Sequence, residues 1–203
     1  MKTKKLGFIV VGLAVSVMLS ALAQAKGNEP QMSTEMQEHM TKAKEAGTPG
    51  PNHEILKAFE GKWKVTSRSW MEPGSKPEMS TGTSSLFWTL DGRFLEQKFK
   101  GDWAGEKFDG LGFIGYDNLK KQYVSFWLDS MSTGVSHATG KYDPTTKTIK
   151  DTGTFSCPMT GEKNKWFRSE WKIINDDQHV YNMYMKDPNG KEFKTMELTY
   201  SRK

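Results

Sequence analysis

The chain has 203 residues, of which 35% are hydrophobic and 26% are charged, and its formal net charge is +5. This length and composition suit one domain with a sizeable core, and the absence of a Lys/Arg cluster argues against nucleic-acid binding. Cys157 is the single cysteine, which excludes an intramolecular disulfide.

The first 25 residues read as a secretory signal peptide. Three lysines lie within Met1–Lys5, residues 6–23 form an uncharged and mostly apolar run, and Ala23-Gln24-Ala25 follows. We expect cleavage between Ala25 and Lys26, a periplasmic or secreted protein, and no stable membrane insertion afterwards. A retained anchor is the alternative, because the run is close to the ~20 residues that span a bilayer. Removing the three lysines of this segment from the 29 basic groups leaves 26 against 24 acidic groups.

Residues 26–51 are predicted to form a helical extension and a linker. The pattern indicates a helix over residues 33–46, with Thr34 as its cap, and Thr48–Pro51 is a stiff linker. Methionines recur along one face, so we expect this helix to pack against the following domain. The alternative is a weak metal site made by Met36, His39 and Met40, whose thioethers and imidazole are soft ligands.

Residues 52–203 form the predicted main domain. A short helix over His53–Phe59 precedes about ten short strands, which are separated by turn signals such as Asp91-Gly92 and Asp117-Asn118. Asp-Gly and Asn-Gly supply positive φ angles, which favour tight antiparallel hairpins. The expected fold is therefore all-β, a ten-stranded antiparallel up-and-down barrel whose interior is available for a ligand.

Period-two alternation is clear in several strands and favours an antiparallel sheet with one face towards the interior. The abundance of aromatic residues suggests the walls of that interior, with Asp129 and Arg168 as polar anchors. The candidate ligand-binding residues are Trp63, Trp88, Trp127, Asp129, Met131, Arg168, Trp171, Tyr181, Met183 and Tyr200.

The strand pattern and its ends resemble lipocalin-like, or calycin, barrels. Gly61-Lys62-Trp63 opens the first strand and Arg202 lies near the end of the last. The resemblance implies that Arg202 packs over the Trp63 indole and closes one end, with a cation–π contact.

The chain also resembles the DUF1579 family of bacterial proteins from about Pro51 to Lys203. The segments on which this resemblance rests are residues 92–97 (GRFLEQ), 108–118 (FDGLGFIGYDN), 127–134 (WLDSMSTG) and 197–203 (ELTYSRK). The resemblance implies a lipocalin-like barrel and brings no established activity.

Residues 127–134 are the densest candidate for chemistry. If Trp127 points inward, Asp129 and Met131 share its face, and Arg168 on a later strand is a candidate partner for the Asp129 carboxylate. The alternative is that Asp129 shapes the hairpin, and that Arg168 belongs to a solvated face.

The four histidines do not form a recognised zinc motif. His53 and His179 occupy positions where exposure is ordinary. His137 lies in the middle of a strand, so it is the histidine that we expect to reach a cavity. We predict no cofactor; the alternative is haem held by His137, since nitrobindins are a related barrel type that ligates haem through one histidine.

Three functions stay open from the sequence. The first is a barrel that binds a small, partly apolar or amphipathic molecule. The second is an enzyme that uses Asp129 and Arg168, although no nucleophile motif or phosphate loop accompanies them. The third is a filled barrel that acts through its surface, including the methionine-striped helix.

Overall fold

A computed structural model describes residues 32–103 and 105–203. The predicted signal peptide and its cleavage site at Ala25 and Lys26 lie outside the described residues. Within those residues, none of the helices has the length and apolar character needed to cross a membrane.

The prediction of a ten-stranded antiparallel barrel is confirmed. All pairings are antiparallel, and pairing of the first strand with the last closes the sheet. The strands are β1 Gly61–Ser69, β2 Glu78–Thr89, β3 Phe94–Trp103, β4 Glu106–Asp117, β5 Gln122–Asp129, β6 Ser136–Asp143, β7 Thr148–Phe155, β8 Lys165–Asn175, β9 Gln178–Lys186 and β10 Glu192–Arg202. The helices are α1 Thr34–Ala46, α2 Pro51–Leu56 and a 3-10 turn, Lys57–Phe59.

The two ends of the barrel differ in their connections. At one end, which we call the closed end, tight turns join β2–β3, β4–β5, β6–β7 and β8–β9. Asp91 and Gly92 have φ angles of 55° and 81°, as a short Asp-Gly connection requires. At the other end, the open end, longer loops span residues 70–77, 130–135, 156–164 and 187–191.

Helix α2 and the 3-10 turn plug the closed end. Leu56 and Phe59 are fully buried, and they join a core that includes Trp63 and Tyr200. The Trp63 indole N–H donates a hydrogen bond to the Phe59 carbonyl at 2.9 Å, which ties the plug to β1. The apolar residues of the plug therefore exclude water from this end.

Arg202 covers the Trp63 ring at the closed end. Its guanidinium carbon lies 4.3 Å from the ring centroid, and the same group donates hydrogen bonds to the carbonyls of Glu60 and Asp176. Gly61 has a φ of +131°, and a Cβ there would collide with the Arg202 guanidinium. The glycine thus leaves the space that the arginine fills.

Helix α1 forms, but the expectation that it packs against the barrel is wrong. Ser33, rather than Thr34, caps it by accepting a hydrogen bond from the Met36 N–H. None of its residues is buried, and Met36 and Met40 are 48% and 58% exposed. Its contact with the barrel lies at its C-terminal end, where the Asn118 side-chain amide donates hydrogen bonds to the carbonyls of Ala46 and Thr48.

Candidate functional site at the open half of the barrel

The inward-facing side chains divide into two groups along the barrel. Those in the middle and towards the closed end form one continuous buried core, which includes Leu86, Leu95, Ile114 and Ile149. Towards the open end, Phe167 and Ala138 are buried, but several other inward side chains are partly exposed. The partly exposed ones are Phe99, Phe108, Trp127, Phe155, Met183 and Met196. Solvent therefore reaches into the interior from the open end.

Trp127 forms much of one wall of this open half. Its indole lies across Gly110 and Gly112 on β4, where a Cβ at Gly110 would overlap the ring. The ring also stacks with Phe108 at a centroid distance of 6.4 Å and meets Phe99 edge-on at 6.5 Å. The two glycines therefore let the indole lie flat against the wall.

Asp129 continues the same face towards the mouth. One carboxylate oxygen accepts a hydrogen bond from the Trp127 indole N–H at 3.0 Å, and the other accepts one from the Met131 backbone N–H at 3.0 Å. Asp129 thus combines the two roles that the sequence left open, because it faces inward and also shapes the β5–β6 loop. Met131 lies in that loop and is 44% exposed.

The expected pairing of Asp129 with Arg168 is wrong. Phe167 and Ser169 point inward on β8, so Arg168 between them lies on the outer surface. There its guanidinium donates to Glu170 at 2.6 Å and to Glu192 at 3.0 Å, and it covers the Tyr184 ring at 3.9 Å. Arg168 is therefore an outer-surface residue and takes no part in the interior.

Asp151 is the interior carboxylate that the sequence reading missed. It lies on β7 opposite Ser169 of β8 and is 4% exposed. The Ser169 hydroxyl donates a hydrogen bond to it. Burial raises the pKa of Asp151 to about 6, although hydrogen bonds from Ser169 and Ser125 act in the opposite direction. Its inward position could be inferred from the strand alternation, in which every second residue faces the same side: Ile149, Asp151, Gly153 and Phe155.

A second polar group lies on the other side of the interior. The Gln97 side-chain amide donates to the Ser84 hydroxyl and to the Tyr200 hydroxyl, each at 3.1 Å, and all three residues are buried. Burial raises the pKa of Tyr200 above its ordinary value, so this phenol stays neutral. Asp151 and the Gln97 group thus put polar atoms at the level between the core and the open half.

Several predicted wall residues belong to the core instead. Trp63, Trp171 and Tyr200 are at most 9% exposed, and Tyr181 and Trp88 pack against the same cluster. Each does point inward, as the alternation predicted. The aromatic core occupies the closed half of the barrel. The predicted wall residues that face the open half are Trp127, Asp129 and Met183.

The histidines occupy the opposite positions to those expected. His137 is exposed on the outer face, where its ring lies 5.0 Å from that of Phe126, so it does not reach the interior and the predicted haem ligand is wrong. His53 is buried and accepts a hydrogen bond from the Gly50 N–H.

His179 is fully buried within an aromatic cluster. Its ring stacks on Tyr200 at 4.2 Å and meets Trp63 edge-on at 4.4 Å. Neither ring nitrogen has a hydrogen-bond partner among the described residues. Burial, and secondly the charge of Arg202, lower the pKa of His179 to about 3, so the ring is neutral.

No metal site accompanies these residues in the described part of the chain, where no three His, Cys, Asp or Glu side chains are grouped to hold an ion. His39, Met36 and Met40 are exposed along α1.

A cleft of about 500 Å³ opens at the rim between the β5–β6 and β7–β8 loops, and Met131 and Cys157 are among its lining residues. Burial opposes ionisation of the Cys157 thiol. Hydrogen bonds from the Thr160 side chain and from the backbone of Thr160 and Met159 outweigh that effect and lower the pKa of Cys157.

Comparison with known proteins agrees with this architecture. A family described as "Protein of unknown function (DUF1579)" matches residues 48–202. The chain belongs to the DUF1579 family. Among solved structures, Rv2717c from M. tuberculosis is similar, with a TM-score of 0.58 and 12% identity over 77% of this chain and 99% of that chain. A redesigned β-barrel matches with a TM-score of 0.38 and 14% identity over 74% of this chain and 94% of the other. A comparison with curated proteins gives no match.

The family match shows the family, and the likeness to Rv2717c shows the fold. At 12% identity the likeness to Rv2717c concerns the barrel and leaves the interior of this DUF1579 protein to be interpreted from its own residues.

Proposed function

We propose that this DUF1579 protein is an exported barrel that binds a small, partly apolar molecule in its open half. The observation that carries the proposal is the partial exposure of inward aromatic side chains at that end, Trp127, Phe99 and Phe155 among them. Aromatic rings that line an open interior are the usual apolar surface of a ligand site.

The dimensions of the barrel support this proposal. About eight strands already give an interior that side chains can just fill or that holds one small ligand, and this barrel has ten. The inward positions Ala138, Gly140 and Gly153 on β6 and β7 carry little or no side chain, and a Cβ at either glycine would collide with the neighbouring strand. We propose that a ligand body would lie against the partly exposed aromatic rings of the open half, Trp127 among them.

Export is part of the proposal, and it rests on the predicted signal peptide. A barrel in the periplasm or outside the cell meets small amphipathic molecules from the medium or from membranes. The closed end is sealed by the aromatic plug, so we propose that the ligand enters between the loops of the open end.

Binding of the uncharged fluorescent probe N-phenyl-1-naphthylamine to the mature chain tests this function. We compare wild type with Ala138→Leu, which adds bulk at an inward position that is 2% exposed. The control is Thr139→Leu, which adds similar apolar bulk one residue further on, at an outward position.

We expect saturable probe binding that Ala138→Leu weakens by about tenfold and that Thr139→Leu changes by less than about twofold. Circular dichroism establishes that both variants are folded. An equal loss of affinity in the two variants, or no saturable binding to wild type, would contradict an interior site.

A further inference from the structure

Among the charged residues at inward positions of the open half, acidic residues predominate. By strand alternation, Asp151 and Asp129 face inward, and Glu78 and Glu106 occupy the corresponding positions at the rim. Lys165 is the basic residue at an inward rim position in the described strands, and it is paired with Glu162 at 3.0 Å. The interior that a ligand enters therefore has a negative potential.

Asp151 lacks a positive partner in the described part of the chain. No ion pair to this carboxylate is present there. The groups that face it are the hydroxyls of Ser125 on β5 and Ser169 on β8, the phenol of Tyr181 on β9, and Gly140 on β6. Burial raises the pKa of Tyr181, so it supplies no charge. A buried carboxylate without a counter-charge is costly, and a cation beside it would remove that cost.

The surroundings of Asp151 suit a cation that carries an apolar body. Towards the mouth from Asp151, the inward face of β7 continues with Gly153 and then with Phe155, which is partly exposed. The neighbouring walls carry aromatic rings, Trp127 and Phe155, whose faces attract cations as well as apolar groups.

We propose that the ligand of the barrel is a small amphipathic molecule with a protonated amine, whose ammonium group binds Asp151 and whose apolar body lies along Trp127 and Phe99. This inference rests on the proposed function and names the chemical class of its ligand. Asp129, near the mouth, attracts the same cation on entry. The pKa of about 6 for Asp151 supports the assignment, because the carboxylate is charged at neutral pH and a proton competes with the amine below that value.

A series of probes that differ only in their polar head tests this inference. Decylamine, decanol and decanoate are titrated against bound N-phenyl-1-naphthylamine at pH 7.5. We expect decylamine to bind about tenfold more tightly than decanol, and decanoate to bind most weakly.

Two carboxylate substitutions locate the ammonium site. Asp151→Asn keeps the shape of the side chain and removes its charge, so the amine should lose its tenfold preference and bind like the alcohol. The matched control is Asp109→Asn, which removes an exposed carboxylate that pairs with Lys100 on the outer surface. This control should leave all three affinities unchanged.

The pH dependence provides a test on the unmodified protein, so the inference does not depend on the folding of one variant. Between pH 7.5 and 5 the affinity of decylamine should fall about tenfold, because roughly a tenth of Asp151 is ionised one unit below its pKa. The affinity of decanol should not change.

Each contrary result has a distinct meaning. Equal affinities for the amine and the alcohol at pH 7.5 would overturn the inference while the barrel still binds apolar molecules. A preference that survives Asp151→Asn, or that does not change with pH, would also overturn it. Failure of the naphthylamine probe itself to bind would remove the proposed function and the inference together.

Discussion

Replacing Asp151 by asparagine should make the protein more stable at neutral pH. The substitution keeps the side-chain shape and an oxygen that can accept the Ser169 hydrogen bond. It removes the charge of a residue that is only 4% exposed. This is the reverse of the usual result for a hydrogen-bonded aspartate, so its sign is informative.

The magnitude follows from the pKa of Asp151 in the folded and unfolded chain. Its ordinary value is 3.8, and burial raises it to about 6 in the fold. The folded state therefore binds the proton more tightly, so the stability contribution of Asp151 is full below pH 4 and is lost as the pH rises through 6. A difference of about two units corresponds to roughly 3 kcal/mol of the free energy of unfolding by pH 8.

Urea unfolding of wild type and Asp151→Asn between pH 4 and pH 8, followed by tryptophan fluorescence, measures this effect. The asparagine amide adds a cost of about 1 kcal/mol that does not depend on pH. The free energy of unfolding of the variant, relative to wild type, should therefore rise by roughly 2–2.5 kcal/mol between pH 4 and pH 8. The titration of His179 is common to both proteins and cancels in the difference.

Asp143→Asn is the matched control with the opposite sign. Hydrogen bonds from Lys150 and Thr146 lower the pKa of Asp143 to about 2, so its charge stabilises the fold above pH 4. The control variant should be less stable than wild type by an amount that changes little between pH 4 and pH 8, because Asp143 gains its stabilising effect between about pH 2 and pH 4. If the Asp151→Asn difference is flat with pH, as in the control, or falls with pH, the reasoning about a buried unpaired carboxylate is refuted.

Three further substitutions test the closed end and the rim. Because the folded pKa of His179 is about 3, wild type should lose about 3 kcal/mol of stability between pH 7.5 and 4.5, and His179→Phe should remove this loss. If urea unfolding shows the same loss of stability in the variant, the assignment of this effect to His179 is wrong. Arg202→Ala should cost about 2–3 kcal/mol in the same assay, whereas Arg68→Ala, at an exposed ion pair, should cost less than about 0.5 kcal/mol; equal costs would refute the closing role of Arg202. The pH profile of Cys157 alkylation should shift upward in Thr160→Val, and coincident profiles would show that this hydroxyl does not lower the thiol pKa.

Much of the barrel could be predicted because its strands alternate clearly. Trp63 and Val65 on β1, and Trp171 on β8, are large apolar residues at every second position, so the inward face was evident. Turn residues fixed the hairpins, and the order of ten hairpin-linked strands leaves few topologies other than a closed meander.

The candidate site was harder to predict, because its inward residues are small or polar. On β6 the inward positions hold Ala138 and Gly140, which give little hydrophobic signal. The sequence pattern therefore does not reveal that His137 faces outward. Asp151 was missed for the same reason, since an acid between Lys150 and Thr152 reads as exposed. Arg168 was assigned to the interior to pair with Asp129, although the alternation of Phe167 and Ser169 already places it outside.

The exposure of helix α1 could not be predicted from its own sequence. Methionines 32, 36 and 40 define an apolar stripe, but a stripe does not specify a partner surface. In the structure the barrel completes its closed end with α2 and the 3-10 turn, so no apolar surface there requires α1.

A ligand in the open half of the barrel would lie beside Trp127. Nuclear magnetic resonance of protein labelled with 15N at its seven tryptophans tests this position. The indole N–H signals of Trp127 and Trp63 are assigned from Trp127→Phe and Trp63→Phe. During titration with decylamine, the Trp127 signal should shift saturably while the buried Trp63 signal stays in place. A Trp127 signal that does not move at saturating decylamine, or an equal shift at Trp63, would contradict the account.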